Sequence, residues 1–188
     1  MRSRRSLLLL GVPFFIVPSG MDASSQRDGK TLPPELRTFS SPAGAYVLEL
    51  RGPEGWKRPQ AQAELFAARP GGRRSVWTKT LPHRYGPALA VVSDQGVVLL
   101  IDEGVRTPGP LAAVIIARDG RETARYSTAE IAKLAGVTIV ALAKSARVAT
   151  WLSAPPAITS GGGVVVLEAA SVPLELDLNS GHLRRTGK

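Results

Sequence analysis

Cysteine is absent from this chain, and that absence removes several chemistries at once. There can be no disulfide framework, no thiolate nucleophile, no Cys-ligated zinc and no lipid-modified cysteine. Histidine occurs only as His83 and His182, too few for a His-rich metal site. Aromatic residues make up 5% of the chain, which leaves little material for the stacking platforms that hold single-stranded nucleic acid. Acidic residues are also scarce, with 15 Asp+Glu against 24 Lys+Arg. No apolar run is long enough for a membrane-spanning helix, since Leu7–Val17 holds 11 residues and a span needs about 20.

What remains suits a sheet protein. A chain of 188 residues, 44% apolar, makes one domain or two small ones with a real core. Gly 19 and Pro 15 together reach about 18%, a composition of many turns and few long helices.

The N-terminus has the marks of a targeting segment. Arg2, Arg4 and Arg5 precede Leu7–Val17, which Gly11 and Pro13 interrupt. A secretory signal peptide over residues 1–19 fits, with Val17 and Ser19 meeting the small-residue rule and Met21–Ser25 offering other cleavage positions. An uncut anchor or a misplaced start codon are the alternatives. Removal of three arginines would lower the net charge from +9 to +6, because 21 Lys+Arg would face 15 Asp+Glu. Residues 20–41 are polar, lack apolar periodicity and read as a flexible linker to a β domain over 42–188.

Strand signals then recur at spacings of about ten residues. Tyr46–Leu50 alternates, Ala63–Ala68 and Ser75–Leu81 flank Pro70-Gly71-Gly72, and four strands follow over Ala88–Ser93, Val97–Glu103, Ala112–Arg118 and Arg121–Tyr126. Asp119-Gly120 between apolar runs is a strong hairpin signal. Val97–Ile101 is apolar on both faces, which places it between layers rather than against water. Arg106–Pro110 reads as an exposed connection. Ser127-Thr128-Ala129-Glu130 forms a capping box for a helix over 128–135, with Gly136 as its C-terminal cap. Thr138–Ala143 and Arg147–Leu152 read as strands, though their alanine content would also suit a longer helix. Val164–Ala169, Leu174–Leu178 and His182–Arg184 complete the series, ahead of a basic tail. The expected fold class is all-β, built from antiparallel hairpins with one short helix.

Ser41-Pro42-Ala43-Gly44-Ala45-Tyr46-Val47-Leu48 resembles the Ser-Pro-x-Gly strand opening of exported β-propeller repeats. Leu176-Asp177-Leu178-Asn179-Ser180-Gly181-His182-Leu183 is similar to the Asp-x-x-(Ser/Thr)-Gly turn of quinoprotein-type propeller repeats, and Val91-Val92-Ser93-Asp94-Gln95-Gly96 has the same pattern. The resemblance covers about a quarter of the chain. It implies blade-like sheets, but no quinone or metal ligand of those families has a counterpart here. Blades take about 40–45 residues and closed rings 4–8 of them. The 148 residues from Ser41 suffice for three and a remainder. The expected architecture is therefore a partial propeller-like stack or a two-sheet sandwich, with exposed edges that invite a partner or a second copy.

No catalytic, cofactor or metal residue is assigned, and no cofactor is expected. Asp94, Asp102, Glu103 and Asp119 fall near turns and suit turn chemistry better than a calcium loop. Ser93 and Ser153 lack a nucleophile-elbow context, and Gly161–Gly163 lacks the Gly-Lys-Ser/Thr of a phosphate loop. The candidate ligand-contact residues are His83, Arg84 and Tyr85, in a compact loop, together with Trp77. Trp56, Trp77 and Trp151 suit core or rim packing better than a carbohydrate groove. Arg73, Arg74, Arg84, Arg184 and Arg185 would make a basic patch, but nucleic acid is not expected as a partner of an exported chain. The reading favours an extracytoplasmic binding or scaffold protein of the cell envelope, partnered by an envelope protein or by itself, with no membrane span once the leader is gone. The rival is an envelope hydrolase using the acidic residues of Asp94–Glu103.

Overall fold

A computed structural model describes residues 32–58, 60–103 and 109–186. The expected leader and the first part of the expected linker lie outside the described residues, as do residues 106–108 of the connection at Arg106–Pro110. The linker expected over 20–41 gives way to structure at its end: Leu36–Ser40 forms β1, paired antiparallel with β2 (Tyr46–Arg51). β3 (Gln62–Arg69) and β4 (Gly72–Thr80) complete a first sheet in sequential order. β5 (Leu89–Val92), β6 (Val98–Ile101), β7 (Ala113–Ile116) and β8 (Glu122–Tyr126) form a second. β9 (Ala157–Ile158), β10 (Val164–Ala169), β11 (Val172–Asp177) and β12 (Leu183–Arg185) form a third. The protein is all-β, with three four-stranded antiparallel sheets among the described residues.

Side-chain alternation decides how the sheets stack. In β6, Val98 and Leu100 face one way and join the core made by Tyr46, Leu48, Leu50 and Leu65 of the first sheet. Leu99 and Ile101 face the other way and join Val165, Leu167, Leu174 and Leu176 of the third. β7 divides likewise, with Val114 and Ile116 on one side and Ala113 and Ile115 on the other. All eight residues of β6 and β7 are buried. The second sheet is thus a middle layer covered on both faces, as its two-sided apolar pattern requires. The outer faces are charged. On the first sheet Glu49 pairs with Arg51 and Arg73, and on the third Glu175 pairs with Arg184.

Two helices connect the second sheet to the third. α1 (Thr128–Ala135) begins at a capping box: the Glu130 amide donates to Ser127 Oγ, and Glu130 Oε2 accepts from the Ser127 amide at 2.7 Å. Ile131, Ala132 and Ala135 are buried, and Gly136 closes the helix in the left-handed conformation at φ 73°. The strand expected over Thr138–Ala143 is instead α2 (Ile139–Ser145). Thr138 caps it by accepting from the Ala141 amide, and Leu142 anchors it in the core. The strand expected over Arg147–Leu152 is a tight reversal. The amides of Arg147 and Val148 both donate to the Leu152 carbonyl, and a single bridge joins Leu152 to Ala169. Trp151 in this segment is fully buried and donates from Nε1 to the Ala112 carbonyl at 3.1 Å.

Candidate functional site

Three loops meet at one end of the first two sheets: residues 52–61 between β2 and β3, 81–88 between β4 and β5, and the start of the β6–β7 connection. The turns at 41–45 and 93–97 lie together at the other end, where the Ala43 amide donates to Asp94 Oδ1 at 2.8 Å.

The loops are tied to each other through their backbones. The amides of Gln60 and Ala61 donate to the carbonyls of Arg84 and His83, and the Leu81 amide donates to the Ala61 carbonyl. The Arg84 amide donates to Glu103 Oε1 at 2.8 Å. Trp56 folds back at φ 67° and donates from Nε1 to the Pro33 carbonyl at 2.7 Å. Its indole occupies the space where a Cβ on residue 52 would sit, 2.2 Å from Trp56 Cε2, so position 52 must be glycine. Glu54 and Gln60 also adopt positive φ. Such conformations cost about 1–3 kcal/mol each and persist where surrounding contacts hold them.

Arg37 on β1 locks the loop from below. Its guanidinium donates to the Pro87 and Ala88 carbonyls at 2.7 and 3.3 Å, and it passes so close to Gly86 that a Cβ there would lie 2.7 Å from Nη2. No carboxylate pairs with Arg37 among the described residues, and burial lowers its pKa.

The four candidate contact residues separate into two environments. Arg84 is exposed and lies over the Tyr85 ring, 5.3 Å from Cζ to the centroid. Tyr85 is half-buried and meets Trp56 edge-on at 6.2 Å. His83 points the opposite way and is fully buried, and neither ring nitrogen has a hydrogen-bond partner among the described residues. Burial first, then the positive charges of Arg125 and Arg37, lower its pKa to about 4, with Glu122 acting in the other direction. Glu122 is itself held charged by Arg125, which donates to both its oxygens at 2.8 and 2.9 Å. Trp77 is half-buried on the inner side of β4, beside Gly120, whose carbonyl accepts from Lys79 Nζ at 2.8 Å. Arg84 and Tyr85 can touch a ligand; His83 is neutral at physiological pH and sealed from solvent.

The tryptophans do not share a groove. Trp56 and Trp77 belong to the core between the first and second sheets, and Trp151 to the core between the second and third. The acidic residues are likewise dispersed. β6 separates Asp94 from Asp102 and Glu103. Asp102 is buried at φ 59° with both oxygens engaged: Oδ1 accepts from the Glu103 amide at 2.8 Å and Oδ2 from the Thr150 amide at 2.5 Å. Burial raises its pKa. Asp119 caps its own turn, accepting from the Arg121 amide at 2.9 Å. Two features escape sequence reasoning here, the Arg37 lock and the Asp102 clamp on Thr150, because both span about 50 residues of chain.

The chain is thus an all-β protein whose loops form one fixed surface at the end of a sheet stack. No family model matches it, and no curated protein matches it.

Proposed function

We propose that this chain is an exported, non-enzymatic protein of the cell envelope that binds or scaffolds a partner through its loop end, its three sheets serving as propeller-type blades. The blade reading is supported by topology. The same four-stranded meander occurs three times in chain order, and β1 of the first sheet lies beside β5 of the second. The segment Arg2–Val17 supports export. The observation that carries the binding reading is the contrast between the rigid frame and what it displays. The backbone bonds made by the Gln60, Ala61 and Leu81 amides, the Arg84 amide's bond to the Glu103 carboxylate and the Arg37 lock fix the surface, and Arg84 over Tyr85 is what it presents. A preorganised aromatic beneath a guanidinium is a low-entropy contact for an acidic or planar group.

The test is a quantitative pull-down from envelope fractions with the wild type and an Arg84→Ala/Tyr85→Ala variant. The reading expects a partner retained by the wild type and depleted about tenfold or more by the variant, the loss of one interface anchor. Equal retention by both proteins would refute it. Fusing residues 1–25 to a reporter active only outside the cytoplasm tests the export half separately.

A further inference from the structure

Away from the loop surface, the β3–β4 hairpin and the β7–β8 turn border a cleft of about 210 Å³, lined by Ala67, Arg69, Arg74, Ser75, Val76 and Arg118. It shares Val76 and Arg118 with a more open hollow of about 380 Å³ that reaches Ala117 and Asp119. Three arginines therefore line one space. None of them has a carboxylate partner among the described residues. Of the neighbouring acids, Glu49 pairs with Arg51 and Arg73, Asp119 with the Arg121 amide and side chain, and Asp94 accepts from the Ala43 amide. Arg118 is also preplaced, with Cζ 5.5 Å from the centroid of the Tyr46 ring.

Like charges gathered without counter-charge repel one another, and an anion seated among them relieves that repulsion. Guanidiniums offer paired N–H donors that match an oxyanion, and the Ser75 hydroxyl adds another donor. Ala67 and Val76 give the cleft an apolar wall that strengthens the attraction. At about 210 Å³ it has room for a phosphate group and the atoms next to it. We infer that this cleft binds a phosphate-type oxyanion, free or as a phosphate ester. This site is separate from the loop surface and does not depend on it.

The experiment titrates the full chain with inorganic phosphate at constant ionic strength, followed by calorimetry, and separately measures co-sedimentation with phosphatidylglycerol/phosphatidylcholine vesicles. Three proteins are compared: wild type, Arg69→Gln/Arg74→Gln/Arg118→Gln, and a control that loses the same charge elsewhere, Arg51→Gln/Arg58→Gln/Arg184→Gln. All three cleft arginines are exposed, and Arg118→Gln alone serves if the triple variant is unstable. Wild type and control should bind one of the probes saturably, and the cleft variant should bind it about tenfold more weakly or worse. Binding of phosphate alone identifies a free anion. Vesicle binding displaced by phosphate identifies a headgroup. Absence of saturable binding to either probe, or equal weakening in the control, overturns the inference.

Discussion

Acid should loosen the junction between the first two sheets through His83. In the unfolded chain this histidine takes a proton near its ordinary pKa of 6.5, but in the fold only at about 4. Between those values the unfolded state binds more protons, so stability rises with pH across the window. The contribution is fully present above pH 6.5, falls away as the pH drops, and levels off below about 4. The full difference is about 3 kcal/mol, and about 2 kcal/mol of it is lost by pH 5. Asp102, whose pKa is raised by burial, acts in the opposite sense. Wild type must therefore be compared with His83→Leu, which removes only one of the two effects. Urea unfolding followed by tryptophan fluorescence at pH 7, 6, 5 and 4.5 provides the assay. At pH 7 the variant should match or exceed the wild type, because a buried ring with two unpartnered nitrogens is replaced by an apolar side chain. Between pH 7 and pH 5 it should lose about 2 kcal/mol less than the wild type. Parallel decline of the two proteins would refute the assignment of a neutral, sealed imidazole.

Two further changes probe the frame itself. Asp102→Ala strands the amides of Glu103 and Thr150 and forces alanine into a left-handed backbone; it should cost about 2–4 kcal/mol in denaturant unfolding and quicken proteolysis around Thr150. Ser171→Gly should stabilise by about 1 kcal/mol, because Ala170 and Ser171 make the β10–β11 turn at φ 52° and 62°, where a type I′ turn favours glycine. The midpoint in urea should move up with its slope unchanged.

Where local chemistry dominates, the sequence announces the structure. The alternation of Leu174, Leu176 and Leu178 marks β11, and the two-sided apolar run around Leu99 marks the middle layer. Ser127 and Glu130 mark α1 to the residue, because a capping box is a contact between neighbours. Long-range packing overrides local preference elsewhere. Val137–Val140 is β-branched at each position, and Thr138–Ala143 reads as a strand. Yet Thr138 caps a helix there, and Leu142 decides the matter by reaching the core. β1 escapes notice because it is an edge strand whose single inner face holds Arg37 and Phe39 rather than a clean apolar pair. In the loop surface, Arg84 and Tyr85 stand out as a polar-aromatic pair in a short loop. The burial of His83 beside them does not, since only the packing of the first sheet against the second turns one neighbour outward and the other inward.

The middle sheet has a consequence for how this protein can be divided. Neither of its sides tolerates water, so it belongs equally to both neighbours and the three layers should melt as a unit. A chain ended before α1 would keep every strand-to-strand ladder bond of the first two sheets and still leave Leu99, Ile101 and Ile115 as a bare wall. Such a fragment should clump with its own kind rather than persist as a smaller version of the whole.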